Sequence, residues 1–469
     1  MFRPLVIALL ATGAAAAASA PVSDTTEASA VPAPATFSPT GSLGIPRSGH
    51  TATLLFTGDV LVTGGGHGGP DVTAELYHPL TGSFIRTTGN MTKARSGHTA
   101  TLLGGPGNLN RWYYGMVLIV GSVDASAELY DPARRIFTAT GSMHHARTSP
   151  TATLLDTGEV LIVGGNTNKG DRTAELYDPT SEEFFDTGPT TVLRTGHTAT
   201  LLDDGHVLIA GGNGAAGATA ELYDPVTHTF TPTARGMTRP RAGHTATLLE
   251  FENGSQTQNG NVLIVGTDGS ADLYNPNTAT FASVGSNTIP RGGYTASLRN
   301  DATVLVAGGY IIDSACNFAD SLTTATLFTP GNVVFTVTGR LNTARDAHTA
   351  TVLYDGSVLV IGGTLHIASH SVPNSCQTTA AVVSSAELFK TVGQHTYTLT
   401  GYCFGHVSNT YDMCAIARDT TQCPVGQAAV IPRSEACSKF AIQPVDASTT
   451  CRVQTRPFGP TIGGACLIQ

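Results

Sequence analysis

The feature that most constrains this chain is an internal repeat. Arg194-Thr-Gly-His197 is followed by Thr-Ala-Thr-Leu-Leu, an Asp-Asp-Gly turn, and Val207-Leu-Ile-Ala-Gly-Gly212. Ala220-Glu-Leu-Tyr-Asp-Pro225 and a run centred on Phe230 come next, and the unit then restarts at Arg241. Aligned on His197, the copies carry His50, His98, Pro150, His197, His244, Tyr294 and His348, spaced 47 to 54 residues apart. Three residues before each stands an arginine: Arg47, Arg95, Arg147, Arg194, Arg241, Arg291 and Arg345. A period of this size means that one supersecondary unit is stacked against copies of itself.

Each copy reads as four short strands, being rich in apolar and β-branched residues with no helical period. Asp204-Gly205 and Asp355-Gly356 suit tight turns between the first two strands. Asp131-Pro132, Asp178-Pro179 and Asp224-Pro225 suit turns after the third. Seven four-stranded units predict an all-β fold, a seven-bladed β-propeller, because radial repetition buries each sheet between two neighbours. The recurring glycine pair, Tyr-Asp-Pro, aromatic residue and arginine make the chain resemble the kelch family and the central propeller of the galactose-oxidase group. That resemblance implies a fold and leaves function open.

Ring closure is the next expectation. Third-strand tyrosines or their substitutes precede a fourth-strand phenylalanine by seven residues, as Tyr223 precedes Phe230, but Phe389 has no such partner downstream. The stretch 37–43 looks like a fourth strand without a blade, so 35–43 is expected to complete blade seven, with 395–401 as the rival.

The flanks differ in composition. Arg3, an alanine-rich apolar stretch over 5–18, and Ala18-Ser19-Ala20 predict a secretory signal over 1–20. The apolar stretch is too short and alanine-rich for a membrane span. A Pro/Ala/Ser/Thr linker over 21–34 leads into the propeller, 35–400. In 401–469 six cysteines, Cys403, Cys414, Cys423, Cys437, Cys451 and Cys466, predict a small domain held by disulfides among themselves. Fifteen pairings are open. Asn90 and Asn253 head N-x-S/T sequons. A net charge of -9 argues against a nucleic-acid partner.

Residues present in every copy are read as structural, the arginines as partners of carboxylates or carbonyls between blades and the histidines as satisfied turn residues. Departures from the repeat are where function is sought. On the face carrying the second-to-third and blade-to-blade connections, blades six and seven have long insertions. One spans 310–320 with Tyr310, Asp313 and Cys316; the other spans 364–385 with His366, His370 and Cys376. Their adjacency predicts a Cys316–Cys376 disulfide. With His67, His144 and His145 they form a candidate binding rim. The sharper reading is a zinc or copper site from His67, His366 and His370, with Asp313; the plainer one is solvated loop histidines. On the opposite face Trp112, Tyr113 and Tyr114 are candidate stacking residues or cover for a blade edge.

The galactose-oxidase resemblance implies a copper-radical oxidase as one function, although no ligand set transfers residue by residue, and another propeller hydrolase or lyase is the other enzymatic alternative. The chain has no G-x-S-x-G, H-E-x-x-H or phosphate-loop motif. The reading favoured by sequence is a secreted, non-catalytic recognition or adhesion protein, monomeric or self-associating, without a cofactor, whose partner is an extracellular glycan or protein. A structural surface or matrix role is a third.

Overall fold

The computed structural model describes residues 36–390, except 67–68, 105–111, 123, 168–171, 251–257, 288, 314–317 and 373–374; along 312–319 and 368–378 only strand backbone is described. Beyond 390 it describes the backbone of four strands.

Seven four-stranded antiparallel sheets form a ring. Blade one runs Ser48–Leu54, Val60–Gly66, Ala74–His78 and Ser83–Arg86. Blades two to six begin at Thr99–Leu102, Thr151–Leu154, Thr198–Leu201, Thr245–Leu248 and Thr295–Leu298, and blade seven begins at Thr349–Val352. These first strands abut one another around the axis, the first against the seventh included. The only helical turn among the described residues is Gly214–Ala216. No helix among them is long and apolar enough to cross a membrane.

The second strands explain why the sheets stack. Val117–Val120, Val160–Val163 and Val358–Ile361 are buried along their whole length, so both of their faces lie inside. Each junction between blades then holds its own apolar cluster. Leu61, Leu76 and Leu55 of blade one pack with Val117, Ile119 and Tyr130 of blade two. Val60, Val62 and Tyr77 pack with Leu359, Ile361 and Ala386 of blade seven.

The ring closes through the N-terminal strand Thr36–Ser42, the outermost strand of blade seven. It pairs with Ser385–Lys390, setting Phe37 opposite Phe389. Their rings lie 4.8 Å apart and tilted by 52°, the arrangement of Tyr223 on Phe230 at 4.8 Å and 49°. Thr40 Oγ1 also bonds Tyr77 Oη of blade one at 2.9 Å. Of the rival segment only 398–401 is described, and it belongs to another strand: Thr398–Val407 pairs with Thr410–Arg418, and Cys403 is the register partner of Cys414. The side chains of all six C-terminal cysteines lie outside the described residues.

Candidate functional site

The repeated arginines and histidines hold the ring together. Arg47, Arg95, Arg147, Arg194, Arg241 and Arg345 are buried and meet Glu75, Glu128, Glu175, Glu221, Asp272 and Glu387 at 2.5 to 3.2 Å. Each pair lies within one blade and ties its entering chain to its third strand, where the sequence suggested a bond between blades. The histidines do cross between blades. His98, His197, His244, His348 and His50 bond Thr51, Thr151, Thr198, Thr295 and Thr349 of the preceding blade, Nε2 to Oγ1 at 3.0 to 3.1 Å. Burial, reinforced by the neighbouring arginine, pushes their pKa values down to about 3 for His50, His98, His197 and His348 and about 4 for His244. These rings are neutral at ordinary pH and are bound into the frame.

The chain entering each first strand also builds the mouth of the axis. Two residues after each arginine the backbone turns left-handed, at Gly49, Gly97, Ser149, Gly196, Gly243, Gly293 and Ala347. Ala347 N–H donates to Gly293 O at 2.8 Å and Gly97 N–H to Gly49 O at 3.0 Å, linking blade to blade around the mouth. Between arginine and turn stand Ser48, Ser96, Thr148, Thr195, Ala242, Gly292 and Asp346. Two of these depart from the others, Gly292 without a side chain and Asp346 with a charge, and they belong to the adjacent blades six and seven.

The two insertions are β-hairpins at this mouth. Tyr310–Asp313 pairs with Phe318–Ser321 and Thr364–Val372 pairs with Ser375–Val382, and Phe318–Ser321 lies against Thr364–Val372. Tyr310 exchanges backbone bonds with Gly292 at 2.8 and 2.9 Å. Its ring crosses the Gly292–Gly293 backbone so closely that a Cβ on Gly292 would sit 2.7 Å from the ring. The missing side chain is what admits the tyrosine.

Beside it is a hydrogen-bonded corner. Asp346 exchanges backbone bonds with Thr364, and its Oδ2 accepts from Ser321 Oγ at 2.7 Å and bonds His366 Nδ1 at 2.8 Å. His366 N–H donates to Ser321 Oγ at 2.8 Å. Thr364 Oγ1 donates to Ser48 Oγ of blade one at 2.9 Å. With the buried carboxylate as acceptor, His366 Nδ1 carries the hydrogen of this bond, which fixes the ring and leaves its Nε2 edge for another partner. The corner therefore offers an aromatic face, an oriented imidazole and hydroxyls, a set suited to holding a polar ligand.

Of the remaining rim candidates, His144 and His145 stand in the connection that enters blade three. His144 is half-exposed and bonds Asp186 at 2.9 Å; its N–H donates to Glu175 at 2.6 Å. His145, part-buried, is the next residue of that connection. His67 and Cys316 lie outside the described residues, as do the side chains of Asp313, His370 and Cys376. The Cys316–Cys376 pairing falls there too. On the opposite face Tyr113 is buried in the cluster between blades two and three, and Tyr114 stacks on Phe56 of blade one at 4.8 Å. Trp112 is the exposed member, edge-on to Tyr113.

Sequence reasoning missed Asp346, Ser321 and Gly292. For Asp346 and Gly292 the signal is the position after the repeated arginine, where they alone break a run of small neutral side chains.

Among the described residues the one group of three ligating side chains within 4.8 Å is His144, Glu175 and Asp186, and Glu175 already neutralises Arg147. Of the three histidines named as metal ligands, His67, His366 and His370, only His366 has a described side chain, and its Nδ1 bonds Asp346.

Neither a protein-family model nor any curated protein matches the chain. Among solved structures it is similar to a novel fungal alcohol oxidase with catalytic diversity among the AA5 family, in complex with copper. The two share 17% identity at a TM-score of 0.59, over 78% of this chain and 80% of the other. The likeness is one of fold: this chain is a seven-bladed propeller similar in architecture to the galactose-oxidase group.

Proposed function

We propose that the protein is a secreted, non-catalytic recognition protein that binds an extracellular glycan at the axis mouth between blades six and seven. The observation that carries this reading is the Tyr310 ring lying across Gly292–Gly293, beside the bonded set of Asp346, Ser321 and His366. An aromatic face suits the C–H face of a sugar, while an imidazole nitrogen and hydroxyls suit its OH groups. Two adjacent hairpins on a rigid ring give such a site its walls, as functional loops on a scaffold do. The N-terminal signal pattern and the cysteines support an extracellular setting.

The test is a glycan array probed with secreted, unreduced protein and with Tyr310→Ala and Asp346→Asn. Saturable binding to a glycan class that both variants lose supports the reading. Binding unaffected by either variant refutes this site.

A second reading, a copper oxidase, rests on the likeness in fold to a copper-bound alcohol oxidase. Elemental mass spectrometry on protein prepared without added metal distinguishes the two. Near-stoichiometric copper, lost in His366→Ala together with His370→Ala, would replace recognition with catalysis.

A further inference from the structure

Six blades contain the same internal anion receptor. The guanidinium meets the third-strand carboxylate, and the other carboxylate oxygen accepts a backbone N–H from the chain leading to that arginine. The donors are Gly44, Thr92, His144, Thr191, Thr238 and Asn342, at 2.5 to 2.8 Å. A buried guanidinium requires such compensation, because an unpaired charge in a low-dielectric interior is costly.

Blade six keeps the arginine and lacks the acid. Thr326 stands where the others have Glu or Asp, and Arg291 is 2% exposed. Arg291 Nη1 donates to Gly308 O at 3.0 Å and Thr324 O at 2.8 Å, as its counterparts do to their own carbonyls. Arg291 Nη2 has no partner among the described residues. The lining has changed with it. Asn287, 3% exposed, stands where five other blades have Leu43, Met91, Met143, Met237 and Leu341 and blade four has Thr190. Its Oδ1 accepts from Thr326 Oγ1 at 3.1 Å, while its Nδ2 has no partner among the described residues. Burial lowers the Arg291 pKa to about 10, which leaves it a cation at neutral pH.

We propose that blade six binds a small monovalent anion, chloride or a formate-sized carboxylate, at Arg291 and Asn287, in the place where the other blades hold their own carboxylate. The exchange of carboxylate for threonine removes a fixed negative charge, and the exchange of an apolar residue for asparagine adds N–H donors. Both changes suit an anion supplied from solution. Anion binding to the folded state alone stabilises it by mass action.

The test is thermal unfolding of the full chain in sodium chloride against sodium gluconate at constant ionic strength, for the wild type and Thr326→Glu. The wild type is expected to gain several degrees with chloride and to saturate. Thr326→Glu, which restores the internal carboxylate, is expected to lose that dependence and to start from a higher midpoint in gluconate. Equal responses to the two salts, or the same chloride dependence in both proteins, overturn the proposal. Wild-type crystals soaked in sodium bromide give a check that does not depend on the variant folding. An anomalous peak within hydrogen-bond distance of Arg291 Nη2 is expected, and an empty position there overturns the site.

Discussion

His50 of blade one bonds Thr349 of blade seven, Nε2 to Oγ1 at 3.0 Å, so the two ends of the repeat are joined by the same contact that links blades within it. Five such histidines are buried, with pKa values lowered to between about 3 and about 4 by burial and the adjacent arginine.

Acid should therefore loosen the ring. Each histidine has a lower pKa folded than unfolded, so the unfolded chain takes up protons first as pH falls. The stability is fully present above about pH 6.5 and is lost as pH drops from there toward each folded value, at about 1.4 kcal/mol per pH unit for each histidine. The urea midpoint is expected to fall steeply between pH 6.5 and pH 4. His244→Gln should reduce that slope by about one proton. An unchanged slope would show that His244 is not held neutral.

The N-terminal strand should be a latch. Removing residues 1–43 takes away Phe37, the pairing of Thr36–Ser42 with Ser385–Lys390, and the Thr40–Tyr77 bond. It also leaves the edge of blade seven exposed, a template for pairing with another chain. The truncated protein is expected to unfold at lower urea and to self-associate, as read by light scattering. Phe37→Ala alone should cost about 3 kcal/mol.

The buried ion pairs should be unforgiving when broken singly. Glu175→Gln leaves Arg147, fully buried, without its counter-charge, and should destabilise by about 3–5 kcal/mol in chemical denaturation. Replacing both partners by apolar residues should recover much of that loss, because desolvation of the pair offsets much of its attraction.

The architecture was legible because the repeat states its rules seven times. The Tyr-to-Phe spacing that fails after Phe389 located the closing strand at Phe37, since a ring with no free edge needs a partner for every third strand. The site was legible only in outline. The insertions marked the face and the adjacent blades, but loop histidines carry no distance information. His144 turned to Asp186, and His366 turned to Asp346. What organises the corner is a pair of exceptions to the repeat, Gly292 and Asp346. A glycine among many glycines and an aspartate beside an arginine both look ordinary until the strands are in register.

Gly292 gives the most discriminating test of the proposed glycan site. Its backbone is not left-handed, so alanine is conformationally acceptable there, and the neighbour that a new Cβ would meet first is the Tyr310 ring at 2.7 Å. That contact is too close to persist, so in Gly292→Ala the ring must swing off the axis mouth while Asp346, Ser321 and His366 keep their bonds. Tyr310 is only part-buried, so the unfolding midpoint should barely move. Glycan affinity should fall about tenfold, equivalent to about 1.4 kcal/mol, by titration calorimetry. Tyr310→Ala should show the same loss, and the double variant no more than either single change, because both remove one stacking face. Additive losses would mean that Gly292 and Tyr310 act separately, and the stacking role assigned to the ring would then fail.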